Sequence, residues 1–286
     1  MSFHTIPPSN RYAELFAGVS PSRPPKKLAF CPFAVIGFPD ERRSLVTVKQ
    51  YIHLGADMLE LGFPFSDPTA DGPVLQTANK KALAEGMTVK KAFQFIKSVR
   101  KYVDKISKKP IPIGILVYFN LVYRYGITKF YQEARRVGAD SVLIADVPLE
   151  ESGKAVQAAK KAGIHLIFLV SERTSDKRLN ALLKLASGFL YVVSTLGITG
   201  IRENLPKSLP HLLKKIRRQT NLPLMVGFGI SNQNQIRALK NTSANGFIVG
   251  SALIGDDTNK LMTSLQRAAS PMRIDNIKEP LKNVTL

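Results

Sequence analysis

Eight short apolar runs, each followed by a longer amphipathic stretch, constrain this chain more than any other feature. The runs fall at residues 29–37, 58–62, 111–118, 141–146, 165–170, 189–194, 223–228 and 246–250. Segments such as VLIAD, LIFLV and LYVVS are almost unbroken in apolar residues. Strands of that kind suit a parallel sheet covered on both faces. The stretches between them carry helical spacing: over residues 89–103, Ala92, Phe93, Ile96, Val99 and Val103 share one face. ITKFYQEARRVG, SGKAVQAAKKAG, SDKRLNALLKLAS and SNQNQIRALKN read the same way, and Gly138 and Gly163 stand where helix C-caps are expected. Eight such units without a linker predict an α/β fold of the (β/α)8 TIM-barrel class rather than an open doubly wound sheet. No Gly-x-Gly-x-x-Gly follows the first run, which weakens a dinucleotide-binding reading.

A barrel of this type occupies roughly 250 residues as one domain, so residues 1–286 are expected to form a single TIM-barrel domain. Within it, residues 1–28 read as an N-terminal helix (residues 11–18) and a connector, SPSRPPKK. The helix is expected to plug the bottom of the barrel. Residues from about 271 to 286 are polar and irregular, and are expected to be loosely held.

Composition narrows the function class. Hydrophobic residues make up 44% and charged residues 22%, enough for a large core. No apolar run approaches the roughly 18 residues of a membrane span, and the opening MSFHTIPPSNRYAELF lacks a signal-peptide pattern. A soluble cytoplasmic protein without a membrane partner is therefore expected. The single cysteine, Cys31, excludes an internal disulfide and reads as core. His4, His53, His165 and His211 are scattered without metal spacing, so no metal site is expected. The net charge of +20, from 41 Lys+Arg against 21 Asp+Glu, raises the question of a nucleic-acid partner. The basic pairs, among them Lys80-Lys81, Lys90-Lys91, Lys160-Lys161 and Arg217-Arg218, mostly lie in helix-like segments. They read as the solvated outer face of a barrel, with no nucleic-acid partner.

The most informative stretch is DMLELGFPFSDPTADGPVLQ, residues 57–76. Glu60 falls at the end of the second strand, where barrel side chains face the active site. Its apolar surroundings make a carboxylate costly unless it is paired or functional. A desolvated Glu has a raised pKa and can give and take a proton near neutral pH. The loop that follows carries Pro64, Pro68 and Pro73 with Asp67 and Asp71, and proline stiffens it. A structural ion pair at Glu60 and turn-capping aspartates would account for the same residues, so these residues alone leave both readings open.

ELGFPFSDPTADGPVLQ resembles the signature of the tryptophan synthase alpha family, E-L-G-[LIVM]-P-F-S-D-P-x-A-D-G-P-x-I-Q, with mild departures at Phe63 and Leu75. The resemblance extends over roughly residues 11–269. It implies a lyase that cleaves indole-3-glycerol phosphate to indole and glyceraldehyde 3-phosphate. Glu60 takes the position of the proton-transfer residue and Asp71 that of the second catalytic carboxylate. Tyr118 would line the indole pocket, Tyr191 would lie in the active site, and Thr199 would hydrogen-bond the loop carrying Asp71 when the lid closes. No organic cofactor is implied for this chain. Pyridoxal phosphate is expected only on a beta-subunit partner, in an alpha2-beta2 tetramer, with residues 65–68 in the contact.

PLMVGFGIS and GFIVGSALI end the seventh and eighth strands in glycines. Glycines there expose backbone N–H groups at the place where such barrels commonly bind phosphate, although they would equally permit tight turns. By resemblance the phosphate ligands are Gly200, Phe228, Gly229, Gly250 and Ser251. Three other functions remain: a different phosphate-binding barrel, a subunit that chiefly activates its beta partner, and a basic nucleic-acid binder. No lysine stands at a strand end, as a synthase of indole glycerol phosphate would need.

Overall fold

The computed structural model describes residues 9–18, 27–194, 204–255 and 258–269. All eight expected runs form strands: β1 (Ala29–Val35), β2 (Leu59–Gly62), β3 (Ile113–Val117), β4 (Ser141–Ile144), β5 (His165–Val170), β6 (Leu190–Val193), β7 (Leu224–Gly227) and β8 (Gly246–Val249). They pair in sequence order, every pair is parallel, and β8 returns to β1 to close a barrel. A parallel neighbour needs a long crossover, which the intervening helices supply.

The helices are α1 (Arg11–Leu15), α2 (Glu41–His53), α3 (Pro73–Ala84), α4 (Val89–Ile106), α5 (Phe119–Tyr125) and α6 (Ile127–Arg136). They continue as α7 (Gly153–Ala162), α8 (Asp176–Leu183), α9 (Leu209–Arg217), α10 (Gln233–Leu239) and α11 (Thr258–Ala269). Local chemistry sets their ends. Asp40 caps α2 by accepting from the Arg43 N–H at 2.8 Å. Gly163 ends α7 in the left-handed conformation that favours glycine. Ala92, Phe93, Ile96, Val99 and Val103 of α4 are buried against the barrel, while Lys80, Lys81, Lys90, Lys91, Lys160 and Lys161 are exposed. The excess of positive charge thus sits largely on the outer helical face.

Local detail adds to and adjusts these expectations. Six strands end one or two residues before their apolar runs do, while β2 and β5 end with theirs at Gly62 and Val170, because the chain leaves the ladder as it turns into the barrel mouth. The segment after β3 is helix α5; Val122 buries against the core and Gly126, at φ 93°, separates α5 from α6. Pro73, counted with the stiff loop, is the first residue of α3, where its missing N–H costs nothing.

The bottom of the barrel is closed by α1, as expected, although the helix spans only Arg11–Leu15. Tyr12 is buried there, hydrogen-bonded to the Ser141 hydroxyl at 2.8 Å and set edge-on to the His165 ring. Asp140, fully buried, ties this end together. It accepts from Arg11 at 2.8 Å, from Arg100 at 2.7 Å and from the Ile113 N–H at 2.8 Å. Two guanidinium partners and a backbone donor compensate the desolvation of this carboxylate. Residues 20–26 of the expected connector and the tail from about residue 271 lie outside the described residues.

Candidate active site at the barrel mouth

β2 carries Glu60 into the barrel, opposite Phe33 of β1 and Gly114 of β3. Alternation sends Leu61 and Phe63 the other way. Phe63 accordingly packs between Phe93 and Phe130 of the helical layer, with ring centroids at 5.1 and 5.6 Å. The bulky departure from the family pattern is therefore accommodated outside the site. Glu60 is 4% exposed, and burial raises its carboxyl to about 8, with the nearby Asp71 charge contributing.

Asp71 sits one residue before the Gly72 cap of α3. It is 8% exposed and burial raises its carboxyl, but hydrogen bonds from Asn79 and Tyr118 hold the value down to about 6. Asn79, on the first turns of α3, donates to Asp71 Oδ2 at 3.2 Å and accepts from the Phe65 N–H at 3.0 Å. Tyr118 stacks on Phe65 at 5.0 Å and accepts from the Ala70 N–H at 3.1 Å. The acidic loop is thus clamped at both ends. Near pH 7 these two environments leave Glu60 mostly protonated and Asp71 mostly ionised, a division of labour between two carboxyls.

Across the mouth, β7 ends at Gly227, and Phe228 and Gly229 follow it. A Cβ at Gly227 would collide with the buried Tyr191 ring, so glycine is required for that tyrosine to enter the barrel. Phe228, at φ 67°, is the one non-glycine positive φ among the described residues. Such strain collects at functional sites. Among the described residues, the backbone N–H groups of Gly229 and Gly250 have no protein acceptor. Gly250 precedes a short 3-10 turn, Ser251–Leu253.

One cleft at the barrel mouth unites these groups. Its lining includes Glu60, Asp71, Tyr191, Phe228, Gly229, Gly250 and Ser251, with apolar walls from Phe33, Leu75, Leu116, Ile230 and Ile248. Tyr118 lies against the acidic loop, stacked on Phe65 with its hydroxyl hydrogen-bonded to Asp71. Thr199 and Gly200 lie outside the described residues. Sequence reasoning missed Phe33, whose role depends on barrel closure, and Asn79, a polar residue on a helical face. It also missed Gln235, which completes a capping box with Asn232; the Asn-x-x-Gln spacing carried that signal.

A closed parallel barrel with two buried carboxyls and free backbone donors converging on one cleft defines a (β/α)8-barrel enzyme with an acid–base site. A family model described as tryptophan synthase alpha chain matches residues 20–280. The tryptophan synthase alpha chain of Methanothermobacter thermautotrophicus is 44% identical, over 86% of this chain and 87% of that one. The alpha subunit of Legionella pneumophila superposes with a TM-score of 0.78 at 31% identity, covering 92% of this chain and 100% of that one. A chain of the Pyrococcus furiosus tryptophan synthase complex gives a TM-score of 0.72 at 31% identity, covering 85% and 95%. The chain belongs to the tryptophan synthase alpha chain family, the carbon–carbon lyase subunit of that enzyme. No helix among the described residues is long and apolar enough to cross a membrane.

Proposed function

We propose that the cleft cleaves indole-3-glycerol phosphate to indole and glyceraldehyde 3-phosphate, with Glu60 as proton shuttle and Asp71 as electrostatic partner. The observation that carries these roles is the joint burial of both carboxyls in an apolar-walled cleft, at values of about 8 and about 6. Protonated Glu60 gives its proton to indole C3, and the ring nitrogen takes up the positive charge. Ionised Asp71 receives the indole N–H and stabilises that charge. The Glu60 carboxylate then removes the proton of the adjacent glycerol hydroxyl as the C–C bond breaks. The aldehyde leaves, the bonding electrons return to the ring as neutral indole, and Glu60 ends protonated as it began.

Phe33, Leu116 and Ile248 offer apolar surface to the indole, and Tyr191 closes the cleft floor beside them. The phosphate belongs at Phe228, Gly229, Gly250 and Ser251, where free N–H groups meet. By their place in the family pattern, Gly200 completes the phosphate cup and Thr199 hydrogen-bonds the acidic loop when the lid closes. This half reaction draws on no cofactor or metal in our reading. Pyridoxal phosphate belongs to a beta subunit, with which the chain forms an alpha2-beta2 tetramer in the cytoplasm, residues 65–68 contributing to the contact.

The test is indole release from indole-3-glycerol phosphate by the purified chain, alone and with a tryptophan synthase beta subunit. Release that rises with the beta subunit and collapses in Glu60→Gln and Asp71→Asn supports the reading. A folded chain that releases no indole under either condition sinks it.

A further inference from the structure

We propose that Ser194 and Gln235 are positioning residues that aim the backbone donors of the β7 turn into the cleft. The inference rests on the phosphate reading above and extends it to two side chains that do not themselves reach the ligand.

In a trans peptide, the C=O of one residue and the N–H of the next point in opposite directions. The carbonyl of Phe228 accepts a hydrogen bond from the Ser194 hydroxyl, at the end of β6. The carbonyl of Gly229 accepts from Gln235 Nε2 at 2.8 Å, at the start of α10. Two successive carbonyls are therefore tied down on the outer side of the turn. The N–H groups of Gly229 and Ile230, on the same two planes, are turned to the opposite side. Both residues line the cleft, and neither N–H has an acceptor among the described residues.

The tethers also explain why a strained backbone persists. Phe228 holds φ 67° and Gly229 φ 76°. A non-glycine residue in that region is strained and needs surrounding contacts to over-determine it. Ser194 is 4% exposed and Gln235 is 2% exposed, so neither tether competes with water. Gln235 is itself fixed: its Oε1 accepts from the Ser231 N–H at 2.7 Å and the Asn232 N–H at 3.1 Å. The amide orientation that satisfies both acceptor contacts leaves Nε2 facing Gly229. β6 and α10 thus meet at one turn, and the turn presents two donors where an anion would sit.

The experiment titrates the full chain with glycerol 3-phosphate by calorimetry, and separately with indole, in Ser194→Ala, Gln235→Leu and Asn232→Ala. Asn232→Ala removes the other half of the capping box but leaves the Gly229 carbonyl tied. It is the control for loss of helix stability. We expect Ser194→Ala and Gln235→Leu each to weaken glycerol 3-phosphate about tenfold, the scale of a charge-assisted hydrogen bond. Indole affinity should be unchanged. In turnover, KM for indole-3-glycerol phosphate should rise while kcat changes less than threefold. Unchanged glycerol 3-phosphate affinity in the two tether variants overturns the proposal, as does an equal loss in Asn232→Ala. Should Gln235→Leu not fold, Ser194→Ala decides alone. If the unmodified chain binds indole but not glycerol 3-phosphate, the phosphate reading itself has failed.

Discussion

The two sides of the cleft solve different problems with different parts of the chain. On the β2 side, function resides in side chains: two carboxyls whose acidity is set by burial and by Asn79 and Tyr118. On the β7–β8 side, it resides in backbone, and the side chains that matter act by bending it. Proton transfer needs groups with tuned acidity, which only side chains provide. Anion binding needs fixed dipoles at close range, which peptide N–H groups supply without a titratable group. Mutations on the first side should therefore strike kcat, and those on the second KM.

The largest expected effect is at Glu60. Glu60→Gln keeps shape and hydrogen-bonding capacity but cannot shuttle a proton, and should lower kcat by about 10²–10⁴-fold. Asp71→Asn should follow, because the amide cannot stabilise a cationic indole. Steady-state indole release checks both; a KM effect with intact kcat would erase the contrast between the two sides. The pH profile sharpens it. Activity needs Asp71 ionised and Glu60 protonated at the start, so kcat/KM should rise near pH 6 and fall near pH 8. The alkaline limb should vanish in Glu60→Gln.

The same residue links function to stability. Burial raises Glu60 from 4.5 to about 8, so the unfolded chain ionises it more readily than the folded one. Its contribution to stability is complete below pH 4.5 and is lost as pH rises through 8, by roughly 5 kcal/mol at full ionisation. Glu60→Gln should consequently melt higher than the unmodified chain at pH 9, with the gap closing towards pH 5. Thermal melts at several pH values test this, and a constant gap would show that the carboxyl is not desolvated as described.

Most of the fold and the acidic half of the site were legible in sequence, for a physical reason. Strand periodicity and the spacing from Glu60 to Asp71 are local properties. What was not legible depends on closure. Phe33 faces Glu60 only because β1 pairs with β2. Ser194 reaches Phe228 across 34 residues of sequence. Gly227 reads as a turn residue, and only its contact with Tyr191 shows that it is required for space. Gly227→Ala should lower stability by about 1–3 kcal/mol through overpacking, and should raise KM by displacing the β7 turn. Equilibrium denaturation and kinetics measure the two effects separately.

Asn79 tests the acidic side at smaller scale. It lowers the Asp71 carboxyl and holds the Phe65 N–H. Asn79→Ala removes the lowering hydrogen bond, so Asp71 should titrate higher and the acid limb of kcat/KM should move to higher pH. The loss at pH 8 should stay within several-fold. An unmoved limb would assign Asn79 to loop support alone.

The smallest effect separates site from scaffold. Phe63 stands within the signature of the acidic loop, three residues after Glu60, yet its ring packs with Phe93 and Phe130 in the helical layer. Phe63→Leu restores an aliphatic residue of the family pattern. It should cost about 1–2 kcal/mol, from a small cavity and the lost edge-to-face contacts. Because the change lies on the opposite face of β2 from the carboxyl, kcat, KM and both limbs of the pH profile should match the unmodified chain. A lower melting temperature with unchanged kinetics is the expected result. A shifted alkaline limb would mean that packing outside the barrel sets the acidity of Glu60, and the side-chain half of the cleft would then be no more self-contained than the backbone half.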